Sequence, residues 1–87
     1  GQIRPRSGIA YKNGVTVLNS PGTIDSDYRG EIMVILINHS ANTYELKHGE
    51  RIAQLVISPV IRASFTLLES LDSTLRNEKG LGSSGNK

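Results

Sequence analysis

The sequence predicts an all-β domain, a sandwich or barrel of short strands, on three observations. Apolar and β-branched runs of strand length recur along the chain. Turn residues separate those runs every several positions. The length of 87 residues allows one small domain, and no internal repeat is visible.

The elements follow in order. Residues 7–13 can form one or two helical turns, ended by Asn13-Gly14. Residues 15–18 (Val-Thr-Val-Leu) read as a short strand. The loop after them is longer than a simple reversal requires and holds Asn19, Pro21, Gly22, Asp25, Asp27 and Tyr28. A chemically loaded loop of this kind is expected to carry a site on a rigid scaffold. Residues 31–38 read as a second strand, buried on both faces because the apolar run 32–37 is unbroken. Residues 39–42 form a turn, 43–46 a short strand, and 47–50 another turn around Gly49. Residues 51–57 are the next strand, stopped by Ser58-Pro59, and 60–67 resume with β-branched residues. Leu67, Leu68, Leu71 and Leu75 fit a helical stripe. Residues 77–87, with Gly80, Gly82, Gly85 and two serines, have little to bury and read by composition as a flexible tail.

Composition narrows the function. A net charge of +2 is too small to argue for nucleic acid by itself, and aromatic residues are few. Arg4, Arg6 and Lys12 cluster near the start, which favours local anion binding. With no cysteine there are no disulfides, and no Cys/His cluster points to structural zinc. No run is long enough to span a bilayer. Oligomerisation is then the remaining way to stabilise so small a chain.

Four motifs give a sharper reading. They are Pro5-Arg6-Ser7-Gly8, the run from Val17 through Asn19, Gly22, Asp25 and Tyr28 to Ile32, Gly49-Glu50-Arg51-Ile52-Ala53-Gln54, and the glycine-rich run from Arg76 to Gly85. In this order and over nearly the whole chain they resemble the motifs of the trimeric dUTP diphosphatase family, whose members hydrolyse dUTP to dUMP and diphosphate. The resemblance implies a jelly-roll-like β-sandwich (a β-clip), present as its C-terminal portion, over residues 1–75, with a nucleotide-capping arm over 76–87. It implies an extended connection where the leucine stripe suggests a helix. It also implies that the protein limits uracil incorporation into DNA and supplies dUMP for thymidylate synthesis.

The residue roles come from matching motif positions. A triphosphate ester needs charge neutralisation, an aligned water, and a slot that rejects the wrong base and sugar. Arg6 offers a permanently charged fork of donors, Ser7 a hydroxyl, and Gly8 close backbone approach. Taken alone, Arg6 is as well explained as a solvated surface charge. If residues 7–13 are helical, the anion would lie at the positive end of that helix. Asp25 and Asp27 point the same way in an extended segment, and on the residues alone either is the base or a turn cap. The resemblance selects Asp25 as catalytic carboxylate and makes Asp27 structural, with an Arg as partner. It places Asn19, Gly22 and Ile24 at the uracil slot, Thr23 among the substrate-binding residues, and Tyr28 under the deoxyribose. On the residues alone Tyr28 is equally a cross-strand packing residue.

Gln54 sits in an apolar strand as a buried amide that needs a partner, a phosphate or a backbone group. Arg51 reads as structural, and His39 and His48 as solvent-exposed. In the arm the resemblance assigns Arg76, Ser83 and Ser84 to phosphates and Leu81 and Gly82 to the cap. Leu81 stands where the family usually has an aromatic, and Asn77 and Lys79 where it usually has Gly. Mg²⁺ is expected to bridge substrate phosphates, with no protein ligands assigned. The expected partners are dUTP and two further copies of the chain in a homotrimer with shared sites, without nucleic acid or membrane.

Family members carry a further N-terminal part, including a first motif with an Asp near the metal, that this sequence does not include. Localisation is therefore expected to be cytoplasmic or left open. The alternatives are a non-catalytic fragment or pseudoenzyme, and a relative in the dCTP deaminase group; Pro5-Arg6-Ser7-Gly8 and the Asp25 to Tyr28 segment favour the diphosphatase.

Overall fold

The computed structural model describes all residues except Ser83, Asn86 and Lys87. Its architecture is all-β with one short helix. In chain order the elements are β1 (Gln2–Arg4), α1 (Ser7–Asn13), β2 (Val15–Val17), β3 (Gly22–Thr23), β4 (Leu36–Asn38) and β5 (Gln54–Val56). They make two antiparallel sheets, one ordered β3-β1-β5 and one pairing β2 with β4.

β1 is the shared strand of the larger sheet. Ile3 pairs with Gly22 on one side and Leu55 on the other, and is buried. Gly1 and Ile24 extend the β1–β3 ladder by exchanging both backbone bonds, at 2.9 and 2.8 Å. In the smaller sheet Val15 and Val17 are buried and Thr16 is not, the alternation that a half-covered strand requires. That ladder runs one step past each end, through Leu18 N to Ile35 O and His39 N to Gly14 O, both 2.8 Å.

α1 falls where Asn13-Gly14 predicts its end. Gly14 adopts φ 68, a left-handed conformation that costs glycine little, and its N–H reaches the carbonyls of Ala10 and Ile9. Seven residues are too few to hold a helix in water, so packing beside β2 supports it.

Several expectations need correction. Residues 31–35 are not strand, and Ile32, Met33 and Ile35 are exposed, because only Leu36–Asn38 finds a pairing partner. Residues 43–46 and 60–67 also lack ladders, so their β-branched pattern is not enough to make strands. Of the two readings of residues 67–75 the helical one fails, and Leu67, Leu71 and Leu75 face solvent, so the stripe has nothing to pack on. The strand predicted over 51–57 shrinks to Gln54–Val56, and a strand at Gln2–Arg4 directly precedes Pro5-Arg6-Ser7-Gly8.

The chain is open in shape. Its radius of gyration is 19.0 Å, whereas a compact chain of this length has about 12 Å. Among the described residues the buried apolar core is Ile3, Val15 and Val17.

Candidate active site

The predicted residues fall into three places. The first is a cavity of about 570 Å³ between α1 and the β5 approach, lined by Arg6, Ser7, Gly8, Lys12, Arg51 and Gln54, with Glu50 at its wall. Arg6 stands at the helix N-cap with extended backbone, so Ser7 and Gly8 enter the cavity at the first turn. Lys12 comes from the last turn of the same helix. Three cations against one carboxylate make this an anion pocket.

Gln54 is exposed rather than buried, because β5 is an edge strand of a three-stranded sheet. Its Nε2 donates to the Pro5 carbonyl at 2.9 Å and ties β5 to the segment that carries Arg6. Of the two partners the sequence left open, the structure gives the backbone one. Arg51, read as structural, lines the pocket instead. Glu50 was missed, since a carboxylate has no sequence signal for an anion site. Its Oε1 accepts a hydrogen bond from the Tyr44 hydroxyl, and its Oε2 one from the Lys47 N–H at 3.0 Å. The Tyr44 bond, then the Lys47 N–H, hold the Glu50 carboxyl below the usual carboxylate range. The same bond raises the Tyr44 hydroxyl above its ordinary value.

The second place is a cleft of about 1070 Å³ beyond the other end of the β1–β5 ladder. Thr23, Ile24, Asp25 and Asp27 line it, facing Leu55, Ile57 and Arg62. The Gly1–Ile24 bonds fix the backbone one residue before Asp25. A turn follows, closed by Tyr28 N to Asp25 O at 3.1 Å. Asn19 and Gly22 lie at the foot of this loop, where an added Cβ on Gly22 would stand 3.2 Å from Asn19 Nδ2. Tyr28 sits over Gly30. A Cβ there would stand 2.8 Å from Cε1 of the ring, so only glycine leaves room for it. The Tyr28 hydroxyl donates to Glu31 O at 2.7 Å.

The third place is the arm. Arg76 Nε donates to the Lys79 carbonyl, and Lys79 N returns a bond to Arg76 O at 3.0 Å. Asn77 holds φ 48, and its side chain accepts from Thr74 N at 2.7 Å. Leu81 is fully exposed, and Gly82 accepts from Gly85 N at 3.2 Å. Ser84 lies within this last turn, while Ser83 lies outside the described residues. Asp25 does not line the cavity that holds Arg6, and neither does Arg76.

The sequence model of the dUTPase family matches residues 1–85. The chain belongs to the dUTPase family. A deoxyuridine 5'-triphosphate nucleotidohydrolase of Nautilia profundicola is 62% identical over 84 residues, 97% of this chain and 59% of the relative. Similar proteins of the same name in Ehrlichia canis and Helicobacter hepaticus are 62% and 61% identical, each over 97% of this chain. Coverage of those relatives is 56% and 53%, so the chain spans about half their length. The dUTPase match includes the anion pocket, the acidic cleft and the arm up to Gly85.

Proposed function

We propose that the protein carrying this chain hydrolyses dUTP to dUMP and diphosphate. The observation that carries this reading is the division of the motif residues within one dUTPase chain. An anion pocket sits at one end of the β1–β5 ladder and a carboxylate cleft at the other, and one chain does not merge them. A homotrimer answers this division. The pocket of one copy would meet the cleft of another, with the arm over 76–87 closing on both, in a closed cyclic assembly.

In that site Arg6 and Ser7 neutralise and align phosphate oxygens, and Gly8 admits backbone N–H donors. Asp25 orients a water and takes its proton as the oxygen attacks the α-phosphorus. The bond to the bridging oxygen breaks, and diphosphate leaves. Asn19, Gly22, Thr23 and Ile24 form the uracil slot, and Tyr28 fills the space a 2′-hydroxyl needs. Arg76, Ser83 and Ser84 add phosphate contacts, and Leu81 and Gly82 cover the base. Among the described residues no group of three or more His, Cys, Asp or Glu comes together. Mg²⁺, carried by the substrate with no protein ligand assigned, would offset the phosphate charge.

The test is diphosphate release by the complete protein from dUTP, dTTP, dCTP and UTP. Turnover of dUTP with at least tenfold preference over the others is expected. Ammonia release from dCTP, or no turnover of any of them, overturns the reading.

A further inference from the structure

A carboxylate in the wall of an anion pocket is a liability. Glu50 lines the same cavity as Arg6, Lys12 and Arg51, and an ionised carboxylate forms strong forked pairs with guanidinium groups. A pair of that kind would occupy the donors that a phosphate needs. The structure shows the carboxylate engaged elsewhere. Oε1 accepts a hydrogen bond from the Tyr44 hydroxyl, Oε2 accepts one from the Lys47 N–H, and Glu50 N–H donates to Lys47 O at 3.1 Å.

We propose that Tyr44 is a positioning residue for the anion pocket, its hydroxyl holding Glu50 back from Arg6, Lys12 and Arg51 so that these cations stay free for phosphate. The proposal rests on the phosphate reading of that pocket. The Tyr44 hydroxyl, then the Lys47 N–H, hold the Glu50 carboxyl below its ordinary value, so its charge is present at neutral pH and has to be restrained. Tyr44 in turn keeps its proton to higher pH than an ordinary tyrosine and remains a donor throughout. Gly49, with φ 81, gives the 47–50 turn the reversal that brings Glu50 back under Tyr44.

The test uses the complete protein with inorganic diphosphate as calorimetric probe, alongside dUTP kinetics and thermal midpoints. Tyr44→Phe removes one hydroxyl and keeps the ring. It is expected to weaken diphosphate binding and raise KM about two- to fivefold, the range a solvent-exposed ion pair commands, with kcat unchanged. Tyr44→Phe combined with Glu50→Gln should bind diphosphate at least as tightly as wild type, a rescue that a merely structural tyrosine would not allow. If Tyr44→Phe does not fold, Glu50→Asp takes its place. It keeps the charge, shortens the reach to Tyr44, and carries the same expected loss. Unchanged diphosphate affinity in the single variant, or no rescue in the double, overturns the proposal. A wild type that binds diphosphate in this Tyr44-dependent way yet leaves dUTP intact would sink the hydrolase reading and keep the latch.

Discussion

At Gly30 the place of a side chain is taken by the ring of Tyr28, and on the role proposed for Tyr28 that exchange would make a backbone position part of sugar choice. Gly30→Ala should push the ring aside and narrow the preference for dUTP over UTP, as Tyr28→Ala should by removing it. The ratio of the two kcat/KM values measures both. A ratio that stays put in both variants removes Tyr28 from sugar selection. Asp25 and Asp27 line one cleft, and the geometry of a single chain does not separate their roles. Asp25→Asn should preserve nucleotide binding and cut turnover by about two orders of magnitude or more, since the amide cannot accept a proton. Asp27→Asn should act on the thermal midpoint instead. The reverse pattern would exchange the two assignments. At this scale the sequence was most informative where one motif brings its residues to one cavity, as with Arg6 and Ser7. It was silent on Glu50 and misjudged Gln54, because which face of β5 is covered depends on β1, about fifty residues away in sequence.

Among the elements, α1 was legible to the residue because its stop is local chemistry. Gly14→Ala should lower stability by about 1–2 kcal/mol for the left-handed backbone alone, read as a fall in the thermal midpoint. The new Cβ would also stand 3.1 Å from Ser40 N, which leaves it little space. Strand extent was less legible. Residues 31–35 and 60–67 have the composition of strands, yet composition does not supply the neighbour that a ladder needs. The arm is a third kind of element, held by short local turns at 74–79 and 82–85 rather than by packing. A non-hydrolysable dUTP analogue with Mg²⁺ should slow amide exchange from Gly80 to Gly85. Leu81→Phe should tighten binding by about 1 kcal/mol, through a stacking face that leucine lacks. Equal exchange with and without the analogue would remove the cap from the mechanism.

The whole molecule exposes 8438 Å² of surface, whereas a compact 9.4 kDa chain exposes about 5,000 Å². Much of the difference is apolar, with Ile57, Val60, Ile61, Phe65 and Leu67 at least three-quarters exposed. An excess of that size is on the scale of obligate interfaces, which run about 2,000–5,000 Å². The isolated 87 residues should therefore aggregate or unfold without a cooperative transition, and should turn over dUTP poorly. Light scattering after size exclusion, with thermal melts, checks this; a dispersed, active trimer of this chain alone would contradict it. The all-β class was readable from turn spacing because short strands between turns are a local pattern. The extent of exposure at Ile57, Val60, Ile61, Phe65 and Leu67 was less readable, because apolar composition does not say what neighbour packs on it.

One strand carries more than its three residues suggest. β1 pairs with β3 on one edge and β5 on the other, with the acidic cleft beyond one end of the β1–β5 ladder and the anion pocket beyond the other. In an assembly where pocket and cleft serve different neighbours, a flaw in β1 such as Ile3→Ala does not stay with its own subunit's site. It spoils the site that borrows the cleft and the site that borrows the pocket, and spares only the one it does not touch. In mixed assemblies, loss of activity then outruns the fraction of altered chains, the behaviour a geneticist would call dominant.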